Sequence, residues 1–341
     1  MHDDERVGIL LVNLGTPEAP EAGPVRAYLK EFLSDPRVLD TSALARWLVL
    51  RLFILPRRPA ESAKAYRRIW TDEGSPLLIH SRGLTSALRE KLPDAEIELA
   101  MRYGKPSIAA GLETLAGRRL DRIIVAPLYP QYSSAATGSS LERIYRLAAQ
   151  RWNVPNISAL PPFYADSGFL DAWKAVATPV LETFRPDHLL FSYHGLPERH
   201  MRKSDPSGQH CLASSACCDA IVPANGNCYR AQCMATTRGL VERLGLENGR
   251  YSSAFQSRLG RDPWIKPYTD HRFIELAQQG VKRLAVFSPA FVADCLETLE
   301  ELDIRGRESF LEAGGEDFVL VPSLNTHPAW AEALANMLRR L

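Results

Sequence analysis

The sequence predicts a doubly wound α/β protein of two Rossmann-like domains, each a four-stranded parallel sheet flanked by helices. Three observations carry this. Short apolar runs alternate with helical patterns along the 341 residues, the way strand–helix units are written. Several of those runs are continuous rather than alternating, as strands covered on both faces require. Eight strand candidates also divide into two sets of four near residue 155.

The first strand candidate, 7–14, ends in Val12-Asn13-Leu14-Gly15-Thr16-Pro17. Small residues in that turn would let backbone amides approach a ligand, although a plain tight turn explains them as well. The full G-x-G-x-x-G spacing is missing, so no nucleotide cofactor is expected. Residues 43–56 are apolar with Arg46 and Arg51 interspersed, a pattern that fits either a buried helix or one lying at a membrane interface. A helix at 81–91 and strands at 96–101 and 122–127 follow. Tyr129-Pro130-Gln131-Tyr132-Ser133 and Thr137-Gly138-Ser139-Ser140 come next. Their rings and hydroxyls past a strand end suit a flat, π-rich ligand, and Ser139 or Ser140 equally caps a helix at 141–151.

A strand at 156–160 and a helix at 168–184 lead to the strand at 188–193, which runs into His194-Gly195-Leu196-Pro197. A helix at 231–244, a strand at 251–255, a helix at 269–279 and strands at 283–287 and 318–321 complete the pattern. Two domains follow, 1–155 and 156–310, with 311–341 as a strand and helix packing back on the body. No sequence repeat or low-complexity segment is visible.

Residues just past the carboxyl ends of parallel strands face the functional crevice. His194 holds such a position, and so does the acidic run Asp294-Cys295-Leu296-Glu297-Thr298-Leu299-Glu300-Glu301. On an α-helix Asp294, Glu297 and Glu301 share one face. An acidic stripe is usually only a solvated face, but one starting at a strand end points into the expected cleft. A histidine opposite carboxylates suits proton or metal chemistry.

Cys211, Cys217, Cys218, Cys228 and Cys233 crowd into a loop-like stretch rich in Ser, Ala, Gly and Asn. The C-x-x-C knuckles of common zinc sites are absent. Irregular spacing with four thiolates available fits an iron–sulfur cluster of the [2Fe–2S] type better, with zinc or scattered free thiols as alternatives. One of the adjacent pair Cys217 and Cys218 is expected not to be a ligand. Cys295 reads as a packed helix residue.

Composition excludes little else. With 41 basic and 40 acidic residues the net charge is +1, so nothing global favours nucleic acid. No apolar run is long enough to span a bilayer, and the polar start Met1-His2-Asp3-Asp4 lacks a signal-peptide pattern. A cytoplasmic protein is expected, its cysteines mostly thiols or metal ligands. Oligomeric state is left open.

These residues resemble the ferrochelatase family over essentially the whole chain. The resemblance rests on Leu11 to Pro17, Tyr66-Arg67-Arg68-Ile69, Gly74-Ser75-Pro76, Met101-Arg102-Tyr103-Gly104, Tyr129 to Ser140, Ser192 to Pro197, Gln256-Ser257-Arg258-Leu259-Gly260, Pro263-Trp264 and Asp294 to Leu302. It implies two four-stranded Rossmann-like domains and insertion of ferrous iron, as substrate, into protoporphyrin IX to give protohaem. By the same resemblance His194 and Glu297 flank the porphyrin centre and could contact the metal. His194 takes the pyrrole protons, with Glu297, Glu301 and Asp294 as iron escort or proton relay. Leu14, Arg58, Tyr66, Ser75, Tyr132 and Trp264 match porphyrin-lining positions. The 43–56 segment matches a lip able to touch the inner face of a membrane. Coproporphyrin, another tetrapyrrole chelatase reaction, or a non-catalytic haem or iron–sulfur sensor are the alternatives. The chain lacks the C-terminal extension that carries cluster ligands in animal relatives, so any cluster here is internal. A cysteine at the position of Cys233 also occurs in relatives without a cluster.

Overall fold

The computed structural model describes residues 5–258, 260 and 262–341. The polar start at residues 1–4 and Leu259 of the 256–260 motif lie outside the described residues. Eight parallel strands form two sheets: β1 (Val7–Thr16), β2 (Ala95–Gly104), β3 (Arg122–Pro127) and β4 (Ile157–Ala159), then β5 (His188–His194), β6 (Tyr251–Gln256), β7 (Arg283–Phe287) and β8 (Asp317–Leu320). The orders are β2-β1-β3-β4 and β6-β5-β7-β8. Both sheets thus run second-first-third-fourth, a shared topology without any shared sequence. The chain divides into two compact units, one of residues 1–129, 134–161 and 331–341, the other of 130–133 and 162–330.

In the first unit Leu10, Val12 and Val125 are buried against Ile108, Leu112 and Ile144 of the flanking helices. Strand β1 is buried over almost its whole length, which is why its sequence shows no alternation. Gly15 sits at φ 119, and a Cβ there would lie 1.8 Å from the Tyr103 carbonyl. This glycine therefore serves the pairing of β1 with β2, in which Gly15 lies opposite Tyr103. A buried cluster closes this sheet's carboxyl end. The Asp35 carboxylate accepts from Arg102 at 2.5 Å, Tyr103 at 2.9 Å and Ser139 at 2.5 Å. Burial works against the charge, but these bonds hold the Asp35 carboxyl below its ordinary range.

In the second unit Leu190 and Val286 pack on Phe273, Leu276, Leu302 and Phe310. His188, buried at the start of β5, has Nε2 2.8 Å from Ser252 Oγ. Burial, with the guanidinium groups of Arg272 and Arg250 nearby, pushes this imidazole down from 6.5 to about 4. Between those values the folded chain binds fewer protons here than the unfolded one. The contribution, about 3 kcal/mol, is therefore whole above about pH 6.5 and lost as the pH falls to about 4. The melting temperature of wild type should drop more steeply between pH 7 and 4.5 than that of His188→Gln, which does not titrate. Parallel curves for the two proteins would refute this assignment.

The segment at 43–56 is an α-helix, Ala43–Val49, running into a π-helical turn, Leu50–Ile54. Leu50 and Leu55 anchor it on Leu33. Leu44, Trp47, Leu52 and Phe53 are 69%, 53%, 60% and 69% exposed, so the buried-helix alternative does not hold. Arg46 caps carbonyls of Leu39 and Thr41, and Arg51 lies over the Trp47 ring. No helix among the described residues is long and apolar enough to cross a membrane.

Candidate active site

His194 is the last residue of β5 and pairs in register with Gln256, the last of β6. The next residue must be glycine. A Cβ on Gly195 would stand 2.7 Å from the Gln256 carbonyl and 3.1 Å from the Trp264 ring. Trp264 is fixed by its bridge to Pro197 and by Ile265 N donating to Leu196 O at 3.0 Å. The His194 ring is half-buried between Trp264 and Phe291, at centroid distances of 6.5 and 6.3 Å. Its Nδ1 lies 2.6 Å from the Gly195 carbonyl oxygen. A carbonyl only accepts, so Nδ1 carries the hydrogen, and in the neutral ring Nε2 keeps the basic lone pair.

The acidic run departs from the α-helical expectation. Leu296–Gly306 is a π-helix of 11 residues, with i→i+5 bonds that change which side chains share a face. Asp294 lies before it and does not join the acidic face. That carboxylate is buried and accepts from Asn325 Nδ2 at 2.7 Å, Thr298 Oγ1 at 3.0 Å and Ser323 N at 3.3 Å. Asp294 therefore holds the helix start in place. Glu300 is also buried, with Arg305 Nε 2.9 Å from its carboxylate. Glu297 and Glu301 remain half-buried.

Gln256 and Ser257, quoted above only for the resemblance and given no role there, join these parts. Ser192 Oγ donates to Gln256 Oε1 at 2.8 Å, which turns the amide nitrogen toward the π-helix. Gln256 Nε2 then donates to the Glu297 carbonyl at 2.9 Å and to Glu301 Oε2 at 3.4 Å. Ser257 N donates to Glu301 Oε1 at 2.9 Å, and the Ser257 hydroxyl donates to Oε2. The sequence signal for both was a polar pair at a strand end. No group of three or more His, Cys, Asp or Glu among the described residues is arranged to hold a metal ion.

The porphyrin candidates fall in both units. In the first, Ser75 is buried and accepts from Thr16 Oγ1 at 2.8 Å. Tyr66 is buried edge-on to Trp70, Leu14 is half-buried and Arg58 is exposed at a helix start. In the second, Tyr132 N donates to Gln232 Oε1 at 2.6 Å, and Gln131 Nε2 to Thr236 Oγ1 at 2.9 Å. The Tyr129–Ser133 loop is thus divided, its latter part belonging to the second unit.

All five loop cysteines are buried and unbridged. Cys217 and Cys218 have sulfurs 3.7 Å apart, and Cys228 contacts both Cys211 and Cys218. Arg230 Nη1 stands 3.2 Å from Cys218 Sγ and 3.9 Å from Cys217 Sγ. Contact with Cys228 and burial push the Cys218 thiol up, and burial does the same to Cys211 and Cys217. Cys233 lies against Tyr229 and Tyr193. The loop is held by Asp205, which accepts from the backbone of Ser207, His210 and Cys211, and by Asn225 donating to Cys217 O at 2.9 Å.

The ferrochelatase family model matches residues 6–341. The chain belongs to the ferrochelatase family. A ferrochelatase of Azotobacter vinelandii is 50% identical over 332 residues, covering 97% of this chain and 98% of its own. One from Ectopseudomonas mendocina is 51% identical over 333 residues, covering 97% of each chain. Among solved structures, SirB from Bacillus subtilis with Fe3+ superimposes with a TM-score of 0.56 at 15% identity, over 98% of this chain and 95% of that one. A sirohydrochlorin chelatase SirB from Bacillus subtilis subspecies spizizenii with cobalt gives 0.51 at 12% identity, over 98% of this chain and 94% of that one. At such identities these two share the fold alone. As a ferrochelatase-family member the chain is a lyase that inserts ferrous iron into protoporphyrin IX to give protohaem.

Proposed function

We propose that the second unit carries the insertion chemistry, with His194 Nε2 accepting pyrrole protons and with Glu297 and Glu301 receiving the ferrous ion. Insertion exchanges two pyrrole protons for one Fe2+, so a base and a route for hydrated iron are both needed. The observation that carries this reading is the commitment of His194 Nδ1 to the Gly195 carbonyl. It sets the tautomer that leaves a basic nitrogen at a strand end. Glu297 and Glu301 supply the oxygen donors for the ion. An open carboxylate contact suits an ion that must leave for the macrocycle better than a closed resident site would. Leu14, Arg58, Tyr66, Ser75, Tyr132 and Trp264 are proposed as porphyrin contacts, Trp264 lying beside the base itself.

Cys211, Cys217, Cys218 and Cys228 are the proposed ligands of a [2Fe–2S] centre, with Cys233 outside the set; both members of the adjacent pair are included, against the expectation from sequence, because both sulfurs lie near Arg230. Bound there, such a centre supplies a structural clamp, since the substrate iron stays ferrous throughout. The exposed apolar residues Leu44, Trp47, Leu52 and Phe53 support a reading of peripheral contact with a membrane surface, made from the cytoplasm.

Anaerobic purification followed by an absorption spectrum, metal analysis and an insertion assay with protoporphyrin and coproporphyrin tests these claims together. The expected result is insertion into protoporphyrin by a brown protein with about two irons and two sulfides per chain. Cys211→Ser, Cys217→Ser, Cys218→Ser and Cys228→Ser should each bleach the colour, and Cys233→Ser should not. A colourless, active protein would remove the cluster and leave the chelatase reading. Preference for coproporphyrin would change the substrate.

A further inference from the structure

Ser257 occupies a backbone conformation that its side chain disfavours. It follows β6 at φ 65, in the left-handed region, without being glycine. Such outliers persist where surrounding structure insists on them, and often where a site uses them. Here the consequence is visible. In that conformation the Ser257 backbone N–H reaches Glu301 Oε1 at 2.9 Å while its own hydroxyl reaches Oε2. One residue thereby grips both oxygens of one carboxylate. Glycine would satisfy the backbone without strain but would lose the hydroxyl.

The other half of the arrangement comes from Gln256. Its amide spans from Ser192 on β5 to the Glu297 carbonyl and the Glu301 carboxylate. Ser192 is itself held by Thr269 at 2.9 Å. The strand carrying His194 and the π-helix carrying both glutamates are therefore connected through adjacent residues at the end of β6.

We infer that Ser257 is a positioning residue for iron insertion, clamping Glu301 in one orientation through a bidentate contact made in its left-handed conformation. This rests on the reading of Glu301 as an iron-handling carboxylate. A group that receives a hydrated cation gains by being already aimed, because no ordering is then needed when the ion arrives.

The test is a double-mutant cycle read in kcat, porphyrin KM and melting temperature. Ser257→Gly should lower kcat about tenfold, the value of one hydrogen bond to a charged group, with porphyrin KM unchanged. Its melting temperature should be equal to wild type or higher, since strain is relieved. Ser257→Ala, which keeps the side-chain β-carbon but not the hydroxyl, should show the same kcat loss. In a Glu301→Gln background either substitution should change kcat by less than about twofold, because the two residues act as one unit. Unchanged kcat in the single variants, equal losses in both backgrounds, or losses that track melting temperature would each overturn the inference. Wild type that inserts no iron would overturn the functional reading itself, and this inference with it.

Discussion

His194→Ala should abolish iron insertion while leaving porphyrin binding and melting temperature near wild type. The ring is half-buried at the end of β5, tilted to Trp264 and edge-on to Phe291 with centroids 6.5 and 6.3 Å away, so little packing is lost. What disappears is the imidazole at that strand end, and with it the proposed acceptor for two pyrrole protons. Loss of a general base costs on the order of 10²–10⁴-fold in rate. Absorption titration with porphyrin, run beside the insertion assay, separates binding from chemistry. A variant turning over within about threefold of wild type would reject His194 as the acceptor.

Glu297→Gln and Glu300→Gln should fail in opposite ways. Glu297 is half-buried on the π-helix, so removing its charge should cut kcat by about two orders of magnitude at unchanged melting temperature. Glu300 is 7% exposed at the side chain and holds Arg305 at 2.9 Å. Neutralising it leaves the arginine without that partner and a buried acceptor mismatched, worth about 1–2 kcal/mol after allowing for the exposure of Arg305. The melting temperature should fall by several degrees with activity largely kept. An α-helical projection of the sequence treats Glu300 as an inconsequential neighbour off the acidic face, and only the burial of its side chain gives it a structural duty. Equal activity losses at both positions would sink the distinction.

Much of the fold was legible because parallel strands buried on both faces leave continuous apolar runs. β3 and β7 begin and end where those runs do, and β1, β2 and β5 run on to Thr16, Gly104 and His194, whose polarity or size hides a strand end. His194 was legible as a site residue for the same reason: strand ends in such sheets meet the functional crevice. The acidic helix was legible in composition but not in phase. An α-helical projection puts Asp294 with Glu297 and Glu301, whereas i→i+5 bonding begins only at Leu296 and hands Asp294 to Asn325, Thr298 and Ser323.

The cysteines divide the same way. Sequence alone marked a thiol-rich loop, but not that Cys233 turns toward Tyr193 and Tyr229 while Cys211, Cys217, Cys218 and Cys228 meet beside Arg230. Sequence by itself determined the two sheets, the strand-end histidine, the acidic segment and the family, because these follow from local periodicity and from residue types in order. Tertiary structure alone decided which carboxylates are buried and which stay half-buried, which serine grips Glu301, why Gly15 and Gly195 admit no side chain, and that Trp47, Leu52 and Phe53 face outward. Those depend on contacts between residues tens of positions apart, and local pattern carries no record of which distant side chain will supply the partner.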